Sequence, residues 1–144
     1  MNYKLFSNNL SNNEIYWKFL LMKKKKIVFT GGTGRFVKVF KKIPIKEKVF
    51  FPKKKELNIE NLNSIKKYLK KVKPGYLIHT AALSRPMDIH EKNITKSINT
   101  NIIGTANIVK ACQKENIKLI YFSTNYVYPG KKGNYKETDP VLPI

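Results

Sequence analysis

Short apolar runs alternate along the chain with longer segments in which apolar residues recur every three or four positions. Runs rich in β-branched and aromatic residues are typical of buried strands, and the longer spacing is typical of amphipathic helices. The pattern predicts strands at 27–30, 48–51, 76–80 and 117–123, a short candidate strand at 56–59, and helices at 35–42, 61–72 and 95–115. The segment from 124 to 144 is rich in glycine, proline and tyrosine and is predicted to be loop.

This alternation of strands and helices predicts an α/β fold. Strands that are joined through a helix run parallel with right-handed crossovers, so we expect a doubly wound parallel sheet. Such sheets bind ligands at the carboxyl ends of their strands, where the strand order reverses. A chain of 144 residues, 42% of them hydrophobic, is long enough to form one domain with a sizeable core.

Residues 1–22 differ in composition from the rest of the chain. They are rich in asparagine, and a short amphipathic helix is predicted from 13 to 21. Met22 then opens a run of four lysines, so we expect residues 1–22 to form an N-terminal extension and residues 23–144 to form the folded domain. A helix that docks on a membrane surface or a partner is the alternative for this extension. No apolar stretch approaches the roughly 20 residues of a membrane span, so no membrane partner is expected.

The formal net charge of +20 raises the question of a nucleic-acid partner. The basic residues are nearly all lysines spread along the whole chain, and Arg35 and Arg85 are the only arginines. Specific base readout and bidentate phosphate contacts favour arginine. We therefore expect weak, non-specific binding to polyanions and no specific nucleic-acid partner.

Residues suited to disulfide or metal chemistry are scarce. The single cysteine, Cys112, excludes an internal disulfide and lies in a helical apolar pattern, where a buried apolar role is expected. This cysteine usage fits a reducing, cytoplasmic compartment. His79 is expected at a strand end and His90 in a solvated loop, and these two histidines are too few for us to predict a metal site.

A glycine-rich turn follows the first predicted strand and opens the first predicted helix, with the sequence Thr30-Gly31-Gly32-Thr33-Gly34-Arg35-Phe36. Glycine lets the backbone approach a pyrophosphate closely, and the start of a helix offers unpaired N–H groups to an anion. The turn is therefore predicted to bind the phosphates of a dinucleotide.

This turn resembles that of the extended short-chain dehydrogenases/reductases, which carry Thr-Gly-x-x-Gly-x-x-Gly. Gly31 and Gly34 match the first two glycines of the motif, and Val37 stands where the family has the third. The resemblance extends over 24–144 and implies a Rossmann-like sheet that binds NAD or NADP.

Three further segments resemble cofactor-binding elements of that family. Leu57-Asn58-Ile59 is similar to Leu-Asp-Ile/Val, and Ala81-Ala82 matches Asn/His-x-Ala-Ala. Asn101 is similar to the asparagine of Asn-x-x-Gly-Thr, which buttresses the active-site strands. The resemblance and the turn together predict these cofactor-binding residues: Thr30, Gly31, Gly32, Thr33, Gly34, Arg35, Phe36, Asn58, Ile59, Ala81, Ala82, Asn101 and Ser123.

The segment from Phe122 to Tyr128, Phe-Ser-Thr-Asn-Tyr-Val-Tyr, resembles Ser-Thr-Asp-Tyr-Val-Phe of dTDP-4-dehydrorhamnose reductases and related sugar-nucleotide enzymes. The resemblance implies that Thr124 is the catalytic hydroxyl, which hydrogen-bonds the substrate carbonyl or alcohol. Asn125 stands where the reductases have an acid. A loop similar to the family's Glu-x-x-Pro follows at 137–140.

The family's catalytic Tyr-x-x-x-Lys pair is expected on a helix beyond Ile144. Tyr128 and Lys132 have the spacing, but Pro129 and Gly130 between them predict a turn, so we do not assign them as catalytic. The resemblance therefore implies a sheet truncated on its C-terminal side, without the substrate domain and inactive alone. In the full-length parent, a nucleotide-sugar substrate and a homodimer are expected.

Lysines follow the second predicted strand, at Lys53, Lys54 and Lys55, where an acidic residue would read the ribose 2′-hydroxyl of NAD. Cations suit a 2′-phosphate, so NADP is slightly favoured over NAD, and Arg35 is a second candidate for that phosphate. The leading hypothesis is the NAD(P)-binding portion of a nucleotide-sugar reductase. A nucleotide-sugar epimerase or dehydratase portion, a non-catalytic dinucleotide-binding protein and, less favoured, a basic nucleic-acid-binding domain are the alternatives.

Overall fold

The computed structural model describes residues 26–131 and 133–142. The predicted N-terminal helix at 13–21 lies outside the described residues, as does Lys132. The described part contains a single parallel sheet with helices on both of its faces.

Four strands form the sheet in the order β2-β1-β3-β4. All three neighbouring pairs are parallel, with Ile27 opposite both Val49 and Tyr76, and Tyr76 opposite Lys118. The chain moves outward from β1 to β2 and then crosses to the other side for β3, so the strand order reverses between β1 and β3. The strands are β1 (Ile27–Phe29), β2 (Val49–Phe50), β3 (Tyr76–His79) and β4 (Lys118–Tyr121).

The helices alternate with these strands, which confirms the predicted α/β fold. Asn61 begins the helix predicted to end at residue 72, because its side chain accepts a hydrogen bond from the backbone N–H of Ser64. The helices are α1 (Arg35–Phe40), α2 (Leu62–Val72), α3 (Ile89–Lys92), α4 (Ile94–Ser97), a π-helical segment (Ile98–Ile103) and α5 (Gly104–Lys114).

The main core lies between one face of the sheet and helices α2 and α5. Successive strand residues point to opposite faces, so Val28 and Leu77 face these helices. Each helix contributes one apolar stripe to the same layer, at three- and four-residue spacing. The buried members are Val28, Leu57, Ile59, Ile65, Leu69, Val72, Leu77, Ile108, Ala111, Cys112 and Ile117. The predicted burial of Cys112 is thereby confirmed.

The opposite face of the sheet carries α1 and a cluster of phenylalanines. Phe29 of β1 is fully buried, with ring centroids 4.6 Å from Phe40 of α1 and 5.3 Å from Phe51 after β2. Phe36 of α1 reaches across to Phe122 after β4, at 4.7 Å. Helices therefore lie on both faces, as in a doubly wound sheet, although β4 is largely exposed.

The prediction of a short strand at 56–59 is wrong. Leu57 and Ile59 are buried in the core, but the segment forms turns and pairs with no strand of the sheet. The backbone N–H of Asn58 donates to the Ser64 hydroxyl, and the Asn58 side chain accepts from the N–H of Glu60. These local side-chain contacts take backbone donors that a strand would use in its ladder.

The single helix predicted at 95–115 is interrupted. It is preceded by α3, begins as α4 at Ile94, widens into the π-helical segment and becomes regular again at Gly104. His90, expected in a loop, instead lies half-buried in α3, where its Nδ1 is 2.7 Å from the Ser97 hydroxyl. Apolar spacing detects the helical region but not the extra residue that a π turn inserts.

Candidate functional site

The glycine-rich turn is packed between the ends of β2 and β3. Gly31 has φ +72°, a conformation that residues with a side chain rarely adopt, and its carbonyl accepts from the N–H of Gly34 at 2.7 Å. A Cβ on Gly31 would lie 3.0 Å from the Cα of Ala81, and one on Gly32 would lie 2.5 Å from the carbonyl oxygens of Phe51 and Pro52. The absence of side chains at these two positions is therefore required by the fold.

Two cavities open at the carboxyl ends of the strands. The first, here called the turn cavity, has a volume of about 280 Å³ and lies beside Gly31–Gly34. The second, the strand-end cavity, has a volume of about 470 Å³ and lies beside the segment after β4. Residues 80–83, which follow β3, line both. They form the wall that the two cavities share.

Buried polar side chains connect the turn to the neighbouring elements. The Thr30 hydroxyl is 2.6 Å from Nδ1 of His79, and Nε2 of His79 is 3.1 Å from the Thr105 hydroxyl on α5. Thr30 and His79 are each 1% exposed. This chain of contacts links the ends of β1 and β3 to α5.

The surrounding donors fix the proton positions in this network. The Thr30 hydroxyl oxygen accepts from the backbone N–H groups of Thr80 at 3.2 Å and Ala81 at 3.1 Å. Its own proton is then directed to Nδ1 of His79, which must accept, so the ring proton is on Nε2 and is donated to Thr105. Burial lowers the pKa of His79 from 6.5 to about 4, so its ring is neutral near pH 7.

Asn101 holds the first residues after β3. It lies in the π-helical segment, where its Oδ1 accepts from the N–H of Leu83 at 2.8 Å and its Nδ2 donates to the carbonyl of Leu83 at 2.9 Å. The Asn101 amide thus pairs with both the N–H and the carbonyl of Leu83, as the backbone of a neighbouring strand would. The shared wall of the two cavities is thus fixed by the π-helical segment.

The segment after β4 brings hydroxyl groups to the strand-end cavity. Ser123 and Thr124 are exposed and line this cavity, and a short 3₁₀ turn (Asn125–Val127) follows them. The Thr124 hydroxyl accepts from the N–H of Tyr126 at 3.2 Å, which leaves its own proton available to a ligand.

The sequence pattern did not predict that the carboxylate of Glu60 lines the turn cavity. Oε1 of Glu60 accepts from Nζ of Lys54 at 2.8 Å and from the Thr100 hydroxyl at 2.8 Å. These hydrogen bonds, from Lys54 first and then from Thr100, lower the pKa of Glu60 below its usual 4.5, although partial burial opposes them. The sequence does not distinguish Glu60 from Glu56, the acid directly after the three lysines, because the partners of Glu60 are brought together only by the fold.

Most of the predicted site residues line one or other cavity. Gly31–Gly34, Asn58 and Ile59 line the turn cavity, and Phe36, Asn101, Ser123 and Thr124 line the strand-end cavity. Ala81 and Ala82 line both. Of the three consecutive lysines, Lys54 alone is a wall residue of the turn cavity.

Three residues of the glycine-rich region lie away from the cavities. Arg35, the first residue of α1, is exposed and lines neither cavity, and the Thr30 side chain faces His79. Val37, at the position of the family's third glycine, is fully buried and lines neither cavity. Its side chain is accommodated inside the fold and does not fill the turn cavity.

Tyr128 does not lie on a helix. Its backbone is extended, with φ −96° and ψ 152°, and its ring stacks on Tyr135 with centroids 4.8 Å apart. A catalytic Tyr-x-x-x-Lys arrangement requires both residues on one helical face. The interpretation of Tyr128 as non-catalytic agrees with this geometry.

Residues 26–131 and 133–142 lack the features of a metal site and of a membrane-spanning helix. In these ranges no three histidine, cysteine, aspartate or glutamate side chains cluster in a way that could bind a metal ion. No helix within them is both long and apolar enough to cross a membrane.

Known proteins share this sequence and this fold. The family model of the RmlD substrate binding domain matches residues 25–144. A dTDP-4-dehydrorhamnose reductase of Aggregatibacter actinomycetemcomitans is 31% identical over 90 residues, which are 62% of this chain and 30% of that protein. Methionine adenosyltransferase 2 subunit beta of Pongo abelii is 28% identical over 93 residues, 65% of this chain and 28% of that protein.

A solved structure extends the likeness to three dimensions. The dTDP-4-dehydrorhamnose reductase of Bacillus anthracis in complex with NADP superposes with a TM-score of 0.76 and 29% identity, over 84% of this chain and 44% of that one. The chain thus spans about a third or less of the two curated relatives and under half of this structure. Because the family model matches nearly the whole chain, the chain belongs to the RmlD substrate binding domain family.

Proposed function

We propose that this chain is the NAD(P)-binding portion of a nucleotide-sugar reductase of the dTDP-4-dehydrorhamnose reductase type. The observation that carries the proposal is the shared wall at residues 80–83, which joins the turn cavity to the strand-end cavity. A molecule as long as a dinucleotide can extend along this wall from the glycine-rich turn toward the hydroxyl of Thr124.

The turn fits a pyrophosphate. Gly31 and Gly32 present backbone with no side chain, and a Cβ on either would meet the neighbouring backbone. Close approach of backbone N–H groups to phosphate oxygens is the reason that dinucleotide sites use glycine here. Thr33 and Gly34 also line the turn cavity.

The far end of the dinucleotide is proposed to occupy the strand-end cavity. When bound, the reduced cofactor supplies a hydride to a sugar carbon. Ala81 and Ala82 offer a small-residue surface for the nicotinamide side, and Thr124 donates a hydrogen bond to the substrate oxygen, as its resemblance to the family hydroxyl implies. Ser123 and Phe36 supply further wall residues of this cavity.

NADP is proposed as the preferred cofactor. Lys54 follows β2, where dinucleotide-binding folds read the ribose 2′ position, and it lines the turn cavity. A cation at this position favours a 2′-phosphate over a 2′-hydroxyl. The NADP complex of the reductase from Bacillus anthracis supports this choice.

Titration of the protein with NADPH and with NADH tests the proposal. We expect saturable binding with a dissociation constant well below about 1 mM, tighter for NADPH. Titration with an unrelated polyanion of similar charge measures the contribution of the +20 net charge. Equal binding of the polyanion and NADPH, or no saturation by either dinucleotide, would refute the cofactor assignment.

A binding-only role is the second candidate. A relative of similar identity is named as a subunit of a methionine adenosyltransferase, so a similar segment occurs in a protein named for a different activity. Saturable NADPH binding without reduction of any dTDP-4-dehydro sugar by the longest native form of the protein would favour this candidate. Reduction of the sugar would refute it.

A homodimer and a cytoplasmic location complete the proposal. Ile94, Ile98 and Ile102 are 59%, 41% and 62% exposed, at four-residue spacing along the α4 and π-helical region. Such an apolar stripe suits a helix-to-helix interface between two copies. The single buried cysteine supports a reducing compartment. Sedimentation velocity of the native protein and of Ile98→Lys tests the dimer, which the substitution is expected to dissociate.

A further inference from the structure

We propose that Glu60 is a specificity-determining residue of the dinucleotide site, which opposes the 2′-phosphate of NADP and favours the 2′-hydroxyl of NAD. The inference rests on the proposed function and concerns the adenosine end of the turn cavity. Glu60 acts there through its contact with Lys54, the cation assigned above to the 2′-phosphate.

The packing of the turn brings the end of β2 into this cavity. Gly32 lies directly against the backbone of Phe51 and Pro52, so these two residues are fixed beside the phosphate-binding turn. Lys54 follows two residues later and lines the same cavity as Gly31–Gly34. The ribose of a dinucleotide bound to this turn therefore has Lys54 as a neighbour.

Glu60 is the anchored partner of the pair. Its carboxylate is held by the Thr100 hydroxyl at 2.8 Å, and its backbone N–H donates to Asn58 at 3.1 Å. The Lys54 side chain is 68% exposed, whereas that of Glu60 is 28% exposed. The lysine is thus drawn to a fixed carboxylate, and the pair brings opposite charges to one wall of the cavity.

Opposite charges at one site have opposite effects on the two cofactors. A 2′-phosphate gains from Lys54 but is repelled by Glu60, and it must compete for an ammonium group that already has a partner. A ribose 2′-hydroxyl is neutral and can donate a hydrogen bond to the Glu60 carboxylate. The hydrogen bonds from Lys54 and Thr100 keep the pKa of Glu60 low, so the carboxylate is charged at neutral pH.

Glu60→Gln tests the charge while keeping the shape and an oxygen for Thr100. Calorimetric titrations with NADPH, NADH, 2′,5′-ADP and 5′-AMP measure each affinity. We expect NADPH and 2′,5′-ADP to bind roughly fivefold more tightly, the effect of one unit charge at about 4 Å in water. NADH and 5′-AMP should bind equally well or more weakly. The NADPH-to-NADH affinity ratio therefore rises.

Glu56→Gln is the matched control. Glu56 lies on the same loop and its carboxylate accepts from the N–H of Lys53, but it is not a wall residue of the turn cavity. The substitution changes the net charge by the same amount, so the affinity ratio should stay at its native value. An equal rise of the ratio in both variants would overturn the proposal, because it would then report only net charge.

Glu60→Ala separates a structural role from the charge effect. If Glu60 only braced the loop through Thr100, Glu60→Ala would weaken NADPH and NADH by the same factor and Glu60→Gln would leave both affinities near their native values, and the proposal would be overturned. A raised ratio in both variants supports it. The proposed function fails on a different result, the absence of saturable binding of either dinucleotide by the unsubstituted protein.

Discussion

The Thr30 hydroxyl lies 2.6 Å from Nδ1 of His79, although the two residues are 49 positions apart in the sequence. Both residues are only 1% exposed. The contact joins β1, which leads into the glycine-rich turn, to β3, which leads into the wall between the two cavities. Because Thr30 also accepts from the N–H groups of Thr80 and Ala81, one side chain sets the spacing of the two strand ends.

His79 is expected to be a neutral Nε2–H tautomer. The donors around Thr30 leave Nδ1 as an acceptor, and Thr105 receives the ring proton. Nitrogen-15 NMR of labelled histidine distinguishes the two ring nitrogens, and His90 serves as an internal reference. The Nδ1 resonance of His79 should have the shift of an unprotonated nitrogen at pH 7. A protonated Nδ1 would contradict the assigned network.

Burial of neutral His79 makes the free energy of unfolding depend on pH. Its pKa is about 4 in the folded protein and 6.5 in the unfolded chain, so between these values the unfolded state binds more protons. Stability should therefore fall as the pH decreases from about 6.5 to about 4, by roughly 3 kcal/mol at 1.36 kcal/mol per pH unit.

Chemical denaturation at a series of pH values measures this effect, with His79→Asn as the comparison. Asparagine does not titrate, so the variant should lose less stability than the native protein over the same range. Carboxylates contribute equally to both and cancel in the difference. Parallel pH profiles for the two proteins would show that His79 does not carry the dependence.

The sequence pattern located the four strands and the longer helical regions, but it did not predict α3 or the contacts between elements. Apolar runs located β1 to β4, although only the central strands β1 and β3 contain fully buried residues, such as Val28 and Leu77, and β4 is largely exposed. The prediction was wrong at 56–59, where Leu57 and Ile59 are buried at alternate positions, as they would be in a strand. Their burial comes from turns that pack against α2 and α5, which a local period cannot distinguish from a strand.

The sequence alone can nominate candidate site residues where a residue acts through its backbone or its place in a motif. Gly31 and Gly32 are such residues, since the absence of a side chain is itself the signal. The pairing of Glu60 with Lys54 and Thr100 depends on three segments that meet only in the folded chain. Side-chain partners of this kind can be identified only from the three-dimensional structure.

Asn101 is expected to stabilise the wall between the cavities. Asn101→Leu removes both hydrogen bonds to Leu83 and leaves its N–H and carbonyl unpaired, which should lower the free energy of unfolding by about 1–3 kcal/mol. Asn99→Leu is the matched control, because Asn99 lies in the same π-helical segment and is exposed. Equal destabilisation by the two substitutions in urea denaturation would count against the role of Asn101.

Cys112 is expected to be unreactive in the folded protein. Its side chain is in the core with 2% exposure, and burial raises its pKa from 9.0 to about 11. At pH 8 only roughly 0.1% of the thiol is then ionised, so alkylation by iodoacetamide should be at least about 100-fold slower than in denaturant. Mass spectrometry of timed samples measures both rates. Similar rates in buffer and in denaturant would show that the helix α5 core opens readily.

Two glycines of the glycine-rich turn are expected to respond differently to alanine. A Cβ on Gly32 would lie 2.5 Å from two backbone carbonyl oxygens, which cannot move without shifting β2 away from the turn. A Cβ on Gly34 would meet only the carbonyl oxygen of Gly31 at 3.1 Å, and the Gly34 φ of −67° is ordinary for alanine.

Gly32→Ala should therefore lower both the melting temperature and the affinity for NADPH, and the affinity should fall at least about tenfold. Gly34→Ala should keep a melting temperature near that of the native protein, because its side chain requires only a small adjustment of the turn. Thermal melts and NADPH titrations of the two variants measure these effects, and a Gly32→Ala protein as stable and as tightly binding as Gly34→Ala would show that contact with β2 does not shape the turn.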